Sequence, residues 1–377
     1  MSERHISSAL RSYSDPVAII APFPPPYGGM ALQARSLADR LSAEGISVVV
    51  IPTNPKLPRL LGRIKGIRTL AQTAVYFVRL VHALSQVTVV HILAASYLYF
   101  FVRVVPALLL GRVFGRRVIL NYRGGEAPHF LALYGFLVRP LLRLASIITV
   151  PSRFLAETFS RHKLPAVIVP NPIDLERFQY RPRKHLLPRL LVTRNLEPMY
   201  NIRMAVLAYE IIKHDYPDAH LDIVGTGTDE PLLMSWVEER GLADVVFHGA
   251  VGHERIPQFL SAADILLNPT NVDNFPMTLL EAFASGVAVV STNVGGIPDL
   301  LSDAQAALLV PPGDHRQMAA KVAELLSDDD LAARTVSAAR NIAERYSWNA
   351  VRHRLLQGYY PGRLNHSTEP TAESNFS

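Results

Sequence analysis

The 377-residue chain has no cysteine, which excludes a disulfide framework, a thiolate metal site and a cysteine nucleophile, and suits a reducing compartment. Charge is also sparse. Asp, Glu, Lys and Arg make up 19% of residues against 49% apolar ones, a globular rather than a disordered balance. Residues 1–15 are polar and lack the apolar run of a secretory signal.

Acid is missing over a long stretch. From Gly45 to Gly125 there is no Asp or Glu, while Lys56, Arg59, Arg63, Lys65, Arg68, Arg79, Arg103, Arg112, Arg116, Arg117 and Arg123 are basic. The overall formal charge is +6. A half of one sign suits an anionic surface as partner. Here the cations alternate with Leu, Ile, Val and Phe, which fits anionic lipid headgroups better than nucleic acid. A solvated basic face with no partner is the other reading. Between Arg79 and Arg103 no Lys, Arg, Asp or Glu occurs, long enough to span a bilayer. His82, Ser85, Gln86, Thr88 and His91 interrupt it, and it reads as a helix end, a buried strand and a second helix.

What is present is a regular alternation of short β-branched runs and longer helical patterns. Strands are predicted at 16–23, 46–52, 87–93, 117–123, 146–152 and 166–170, with helices at 30–44, 67–86, 96–111 and 130–144. Strands apolar on both faces belong to a parallel sheet covered by helices on both sides. Residues 171–189 have a linker composition, with two Pro-bounded turns and the run Arg181-Pro182-Arg183-Lys184-His185. The alternation then restarts, with strands at 190–193, 221–224, 245–247, 264–268, 287–291 and 307–310. The predicted architecture is α/β: two Rossmann-like, doubly wound parallel-sheet domains facing each other across a cleft. Its parts are a flexible start (1–15), a first domain (16–172), a linker (173–189), a second domain (190–345), a closing helix (346–360) and a tail (361–377) whose composition predicts disorder.

The most informative window runs from Asn268 to Leu301, NPTNVDNFPMTLLEAFASGVAVVSTNVGGIPDLL. Asp273 sits in a loop past a strand end, where a carboxylate can accept hydrogen bonds from sugar hydroxyls. Asn274, Phe275 and Pro276 carry that loop into a helix, and Pro276 stands where a missing N–H is tolerated. Glu281, in the first turns of that helix, can take both hydroxyls of a ribose. Gly295-Gly296 opens another helix, where phosphate oxygens can approach backbone N–H groups. The separate alternatives are a turn residue, a surface charge and a turn.

This window resembles the donor-site signature of the retaining GT-B glycosyltransferases of family four. In that family the spacing is Glu, seven residues, Glu; here it is Asp273 and Glu281, followed by Ala-Phe-Ala-Ser-Gly and Gly-Gly-Ile-Pro-Asp. Pro24-Pro25-Pro26-Tyr27-Gly28-Gly29 is similar to the family's N-terminal glycine loop, and Val150-Pro151-Ser152 and Val169-Pro170-Asn171-Pro172-Ile173-Asp174 to its inter-domain passage. Val224-Gly225-Thr226-Gly227, Ala262-Ala263-Asp264 and Tyr346-Ser347-Trp348 resemble its C-terminal landmarks. The resemblance implies that the second domain binds a nucleotide-diphosphate sugar as donor, with Arg194 gripping the diphosphate and Gly225 beside it. The first domain would receive a glycan or lipid-linked acceptor, with Gly28 and Gly29 at an acceptor or phosphate loop. It implies transfer with retention, without metal or cofactor and without nucleic acid, in cell-surface polysaccharide or glycolipid synthesis. The expected location is cytoplasmic, peripheral on the inner face of the plasma membrane.

Three positions depart from the family pattern. Asp273 replaces Glu. Asn201 stands where a Lys is usual, with Arg203 two residues on as a substitute. Arg123-Gly124-Gly125 replaces a His-Gly pair, so Arg123 is a candidate for an anionic acceptor or donor phosphate and His129 for the role of the missing His. These departures leave a second reading open, a catalytically weak relative that binds a nucleotide sugar or glycan. Three other features are set aside as chemistry: Gly225-Thr226-Gly227 as a dinucleotide fingerprint, Asp328-Asp329-Asp330 as a metal site, and His248 and His253, taken as loop residues without acidic company.

Overall fold

A computed structural model describes residues 15–25, 28–55, 65–301 and 305–361. All but the first residue of the tail expected to be disordered, and the basic positions Lys56, Arg59 and Arg63, lie outside them.

The first domain runs β1 (Val17–Ala21), α1 (Gly29–Ala43), β2 (Val48–Pro52), α2 (Lys65–Leu84) and β3 (Val89–Ala94). A helical run then passes through a π-helical turn (Phe100–Val104) into α3 (Val105–Val113), followed by β4 (Arg117–Tyr122), α4 (Ala127–Leu142), β5 (Ile147–Val150), α5 (Arg153–Arg161) and β6 (Val167–Ile168). The sheet is parallel, in the order β2-β1-β3-β4-β5-β6. Val17 to Ala21 are all buried, as a central strand covered on both faces requires. Ala18 and Ile20 pack with α2, α3, α4 and α5 on one face, and Val17 and Ile19 with α1 on the other.

The second domain runs β7 (Arg189–Thr193), α6 (Ile202–Asp215), β8 (His220–Val224), α7 (Glu230–Glu239), β9 (Val245–Gly249), α8 (Ile256–Ala262) and β10 (Ile265–Asn268). It continues with α9 (Met277–Ser285), β11 (Ala288–Thr292), α10 (Ile297–Leu301), β12 (Leu308–Val310), α11 (His315–Ser327) and α12 (Asp329–Arg345). Its sheet, also parallel, has the order β12-β11-β10-β7-β8-β9. Both sheets reverse direction once, between β1 and β3 and between β7 and β10. Such reversals leave a crevice at the strand carboxyl ends where ligands bind in doubly wound sheets.

The predicted strands and helices all appear, within a few residues at their ends. The predicted linker does not hang between the domains. Ile173 and Phe178 are buried in the second domain's core, and Arg183, 2% exposed, donates to Asp264 Oδ1 at 2.8 Å and to the carbonyls of Leu260, Ala263, Ser285 and Gly286. Arg181 donates to the same Asp264 oxygen at 2.8 Å, so two guanidinium groups compensate the buried carboxylate and fix this segment onto the domain.

The last helix, α13 (Trp348–Tyr359), returns to the first domain. Trp348 Nε1 and Arg352 both donate to Glu44, at 2.8 and 2.9 Å. Arg117 Nε donates to the Gly358 carbonyl at 2.8 Å, and the Tyr359 hydroxyl meets His91 Nδ1 at 2.9 Å. Asp299 of α10 also accepts from the Phe154 N–H at the start of α5, at 2.7 Å. The two domains are therefore tied through the last helix and through the Asp299–Phe154 contact.

Candidate active site in the interdomain cleft

A cleft of about 1430 Å³ lies between the domains. Its second-domain wall is built on the reversal between β7 and β10. β7 delivers Arg194 one residue past its end, and the loop after β10 delivers Asp273, Asn274, Phe275 and Pro276. Pro276 is the N-cap residue of α9 in extended conformation, as its missing N–H predicts. Glu281 follows on the same helix and faces the cleft although it is almost wholly buried.

Arg194 and Asp273 are joined as an ion pair, each side chain about one-eighth exposed, at 12% and 13%. The Arg194 guanidinium also lies over the Tyr200 ring, 4.4 Å from its centre, a favourable place for a cation. Asp273 is held in turn by its own loop: Oδ1 accepts from the Asn274 and Phe275 N–H groups at 2.8 and 3.2 Å. One oxygen is thus bound to the loop, and the other is given to Arg194.

Gly225 permits this geometry. It sits at φ +146°, where L side chains rarely go, and a Cβ there would collide with the Arg194 carbonyl. Gly295, at φ +57°, and Gly296 play the same part for the facing loop. Added Cβ atoms would run into the carbonyls of Asp273 and Asn274. The Gly296 N–H donates to the Asp273 carbonyl at 3.1 Å. The two glycines therefore stand behind the cleft wall and shape the Asp273 loop. Neither glycine is among the residues lining the cleft, and the part the structure shows for them is this close approach to the Asp273 loop.

From the first domain the cleft receives Gly28 and Gly29 at the start of α1, Gly125 and Arg123. Arg123 follows β4. Its Nε donates to Asn121 Oδ1 at 3.0 Å, and its carbonyl accepts from Asn274 across the domain boundary at 2.7 Å. Its guanidinium is withdrawn from solvent, although the residue as a whole is half-buried. Desolvation lowers its pKa to about 10, opposed by nearby Tyr359. No carboxylate faces it within ion-pair distance among the described residues.

Two candidates are placed elsewhere. Arg203 lies flat against Trp236, 3.7 Å from the ring centre, so α6 turns it along the outside of the domain and it does not stand in for the absent Lys. Asn201, at that position, adopts a left-handed conformation with φ +47°. His129 is exposed on α4 and bonded through Nδ1 to the Tyr97 hydroxyl at 2.7 Å. It does not line the cleft.

His253, read from sequence as a loop residue without acidic company, belongs to the wall. Its Nε2 is 2.8 Å from Glu281 Oε1, and its ring lies against Phe178 at 5.8 Å. His248 also has an acid, Asp222, at 2.5 Å. Sequence spacing hid both pairs, since 28 and 26 residues separate the partners. The only sequence signal was the Gly252-His253 turn before a short helix. Asp328 caps α12 by accepting from the Leu331 N–H, which accounts for that acidic run.

Comparison with known proteins follows the same division. The model described as Glycosyltransferase Family 4 matches residues 27–177, and Glycosyl transferases group 1 matches residues 176–342. The phosphatidyl-myo-inositol mannosyltransferase of Mycolicibacterium smegmatis is 30% identical over 200 residues, 52% of this chain and 51% of that protein. The chain spans about half the length of the curated relatives it matches. The sucrose-phosphate synthase of Thermosynechococcus elongatus has the same fold, with a TM-score of 0.74, 20% identity and coverage of 92% of this chain and 98% of that one. Anabaena HepE, solved in complex with UDP, gives a TM-score of 0.70 at 17% identity, covering 92% and 99%. Two adjoining family matches, on two parallel-sheet domains facing across one cleft, place the chain in the family-four glycosyltransferases of GT-B architecture.

Proposed function

We propose that the protein transfers a hexose-type sugar from a nucleoside-diphosphate sugar to a glycan or lipid-linked acceptor with retention of configuration, in the synthesis of a cell-surface polysaccharide or glycolipid. The observation that carries this reading is the convergence of Arg194, Asp273 and Glu281 on one wall of the cleft. Glu281, steadied by His253, is placed to take the ribose hydroxyls. Arg194 meets the diphosphate, and Asp273, once the phosphate has replaced it on Arg194, accepts hydrogen bonds from the sugar.

In the proposed reaction the bond between the anomeric carbon and the phosphate oxygen breaks. The acceptor oxygen bonds to that carbon on the same face, and its proton passes to the departing phosphate oxygen. Nucleoside diphosphate leaves. The protein's part is to stabilise charge developing on the leaving phosphate, which a fixed cation in a crevice does well. With Arg194 in that place, and Arg123 opposite for a phosphate of donor or acceptor, the reaction is proposed to run without metal or other cofactor.

No helix among the described residues is long and apolar enough to cross a membrane. The acid-free stretch from Gly45 to Gly125 supports action at the cytoplasmic face of a membrane, as a peripheral protein. A second reading, a weakly active or inactive relative that binds nucleotide sugar or glycan, is favoured by one observation: Arg203 stacks on Trp236 and leaves Arg194 without the expected second cation.

The test is incubation with UDP-, GDP- and ADP-sugars, beginning with UDP because HepE binds it, with release of nucleoside diphosphate and the product's anomeric configuration followed by NMR. An α-linked product from an α-donor supports the proposal. A β-linked product overturns retention, and tight donor binding without release of diphosphate favours the second reading.

A further inference from the structure

Helices α2, α3 and α4 lie side by side on one face of the first domain's sheet, α3 touching both neighbours. Their inner sides fill the core with Tyr76, Leu80, Leu108, Phe130 and Val138. Their outer sides are also apolar. Phe136 is 90% exposed, Val113 79% and Val78 69%, with Leu133, Leu137 and Phe77 beside them. An outward helix face of a water-soluble protein is ordinarily polar, and an accumulation of exposed large apolar side chains on one layer marks contact with a membrane or a partner.

The charge on this layer has one sign. None of the three helices contains an Asp or Glu. Between Glu44 and Glu157 the chain has a single acid, Glu126, which precedes α4 at its cleft end. Arg79, Arg112 and Arg143 are exposed around the apolar side chains, and none has an acidic partner within ion-pair distance among the described residues.

We propose that the outer face of α2, α3 and α4 docks on an anionic lipid bilayer, with Leu133, Phe136 and Leu137 entering the boundary between headgroups and acyl chains and the arginines resting on the headgroups. A second copy of the chain is the poorer occupant, because a two-fold interface sets the same patch against itself. Arginines would then face arginines with no carboxylate between them. A bilayer carrying anionic lipid meets both properties of the face at once. The placement also serves the cleft. Gly125 lines the cleft and α4 starts two residues later. At 1.5 Å per residue, Leu133 and Phe136 stand roughly 10–15 Å along α4 from that rim. A lipid-linked acceptor held at the headgroup level can therefore reach the cleft without leaving the membrane. This inference rests on the proposed acceptor class, but the docking face is measurable without it.

The experiment is flotation of the full chain with phosphatidylcholine vesicles and with vesicles containing 30% phosphatidylglycerol by design, alongside UDP titration of the same samples. The wild-type chain is expected to float with the anionic vesicles. Leu133→Ser/Phe136→Ser/Leu137→Ser should reduce the bound fraction by at least roughly tenfold, because three inserted apolar side chains contribute more than a tenfold change requires. Arg79→Gln/Arg112→Gln/Arg143→Gln should abolish the preference for anionic lipid. Both variants should keep the wild-type melting temperature and UDP affinity, since the changed side chains are exposed and away from the cleft. The inference is overturned if wild type does not float, if the triple serine variant floats as well as wild type, or if wild type sediments as a dimer that the serine variant converts to monomer. Loss of flotation with UDP binding intact removes the docking face alone. Loss of UDP binding with flotation intact removes the functional reading instead.

Discussion

Asp273 and Arg194, from the ends of the neighbouring strands β10 and β7, hold each other in an ion pair at the point where the second sheet reverses. In the proposed function each serves a different part of a sugar nucleotide, and the ion pair keeps both groups oriented and largely desolvated beforehand. Binding a diphosphate then exchanges one anion for another on the same cation, without burying a new charge unpaired.

That exchange gives opposite signs for two substitutions. Asp273→Asn removes the competing anion while keeping the shape, so nucleoside diphosphate should bind as tightly as to wild type or more tightly, while sugar transfer falls at least about tenfold. Arg194→Ala removes the phosphate's cation and strands Asp273, and diphosphate affinity should drop by about 2–4 kcal/mol, some 30- to 1000-fold. Calorimetric titration of both variants checks the pair. Equal losses of affinity in both would contradict the exchange.

The contact of His253 with Glu281 predicts a donor effect separate from chemistry. His253→Ala frees one Glu281 oxygen from its 2.8 Å partner and loosens the carboxylate proposed to take the ribose hydroxyls. KM for the donor should rise about three- to tenfold with kcat nearly unchanged, and His253→Gln should recover part of the loss. Steady-state kinetics with varied donor decide this.

Gly225 tests the wall by backbone alone. Alanine there must adopt φ +146° and overlap the Arg194 carbonyl. Gly225→Ala should cost roughly 2–4 kcal/mol of stability or displace Arg194 with matching loss of nucleotide affinity. Gly28→Ala, whose added Cβ would meet nothing within 4 Å, is the control and should melt with wild type.

His91 makes stability depend on pH. It is fully buried beside Tyr359, and burial, helped by the Arg123 charge, lowers its pKa from 6.5 to about 3. The unfolded chain therefore takes up a proton below pH 6.5 that the folded chain refuses. Stability from this group is complete above pH 6.5 and falls as pH drops toward 3, at up to ~1.4 kcal/mol per pH unit. Melting temperature against pH should show this slope, and His91→Gln should flatten it even if the variant starts lower. An unchanged slope in the variant would refute the assignment.

Much of this was legible from sequence, for physical reasons that differ by residue. Strands apolar on both faces, such as Val17–Ala21, announce a covered parallel sheet, and Asp273 with Glu281 announces a wall because both lie within one loop-and-helix passage. What could not be read depended on distant partners or on side-chain direction. His253 and Glu281 meet only when α8 and α9 pack, and Arg203 leaves the site because Trp236, on the next helix, offers it a ring. Gly295 and Gly296 announced a special backbone, but a sequence cannot say whether a glycine makes room for a ligand or for another loop. Arg183 read as linker charge, and its burial against Asp264 follows from β10, some 80 residues on.

The central claim is that the cleft takes a nucleoside diphosphate through Arg194, and titration of UDP and GDP into wild type and Arg194→Ala, followed by calorimetry, tests it most directly. The account predicts one site per chain for at least one of the two nucleotides and at least a 30-fold weaker site in the variant. Binding of neither nucleotide by wild type, or equal affinities in the two proteins, would contradict it.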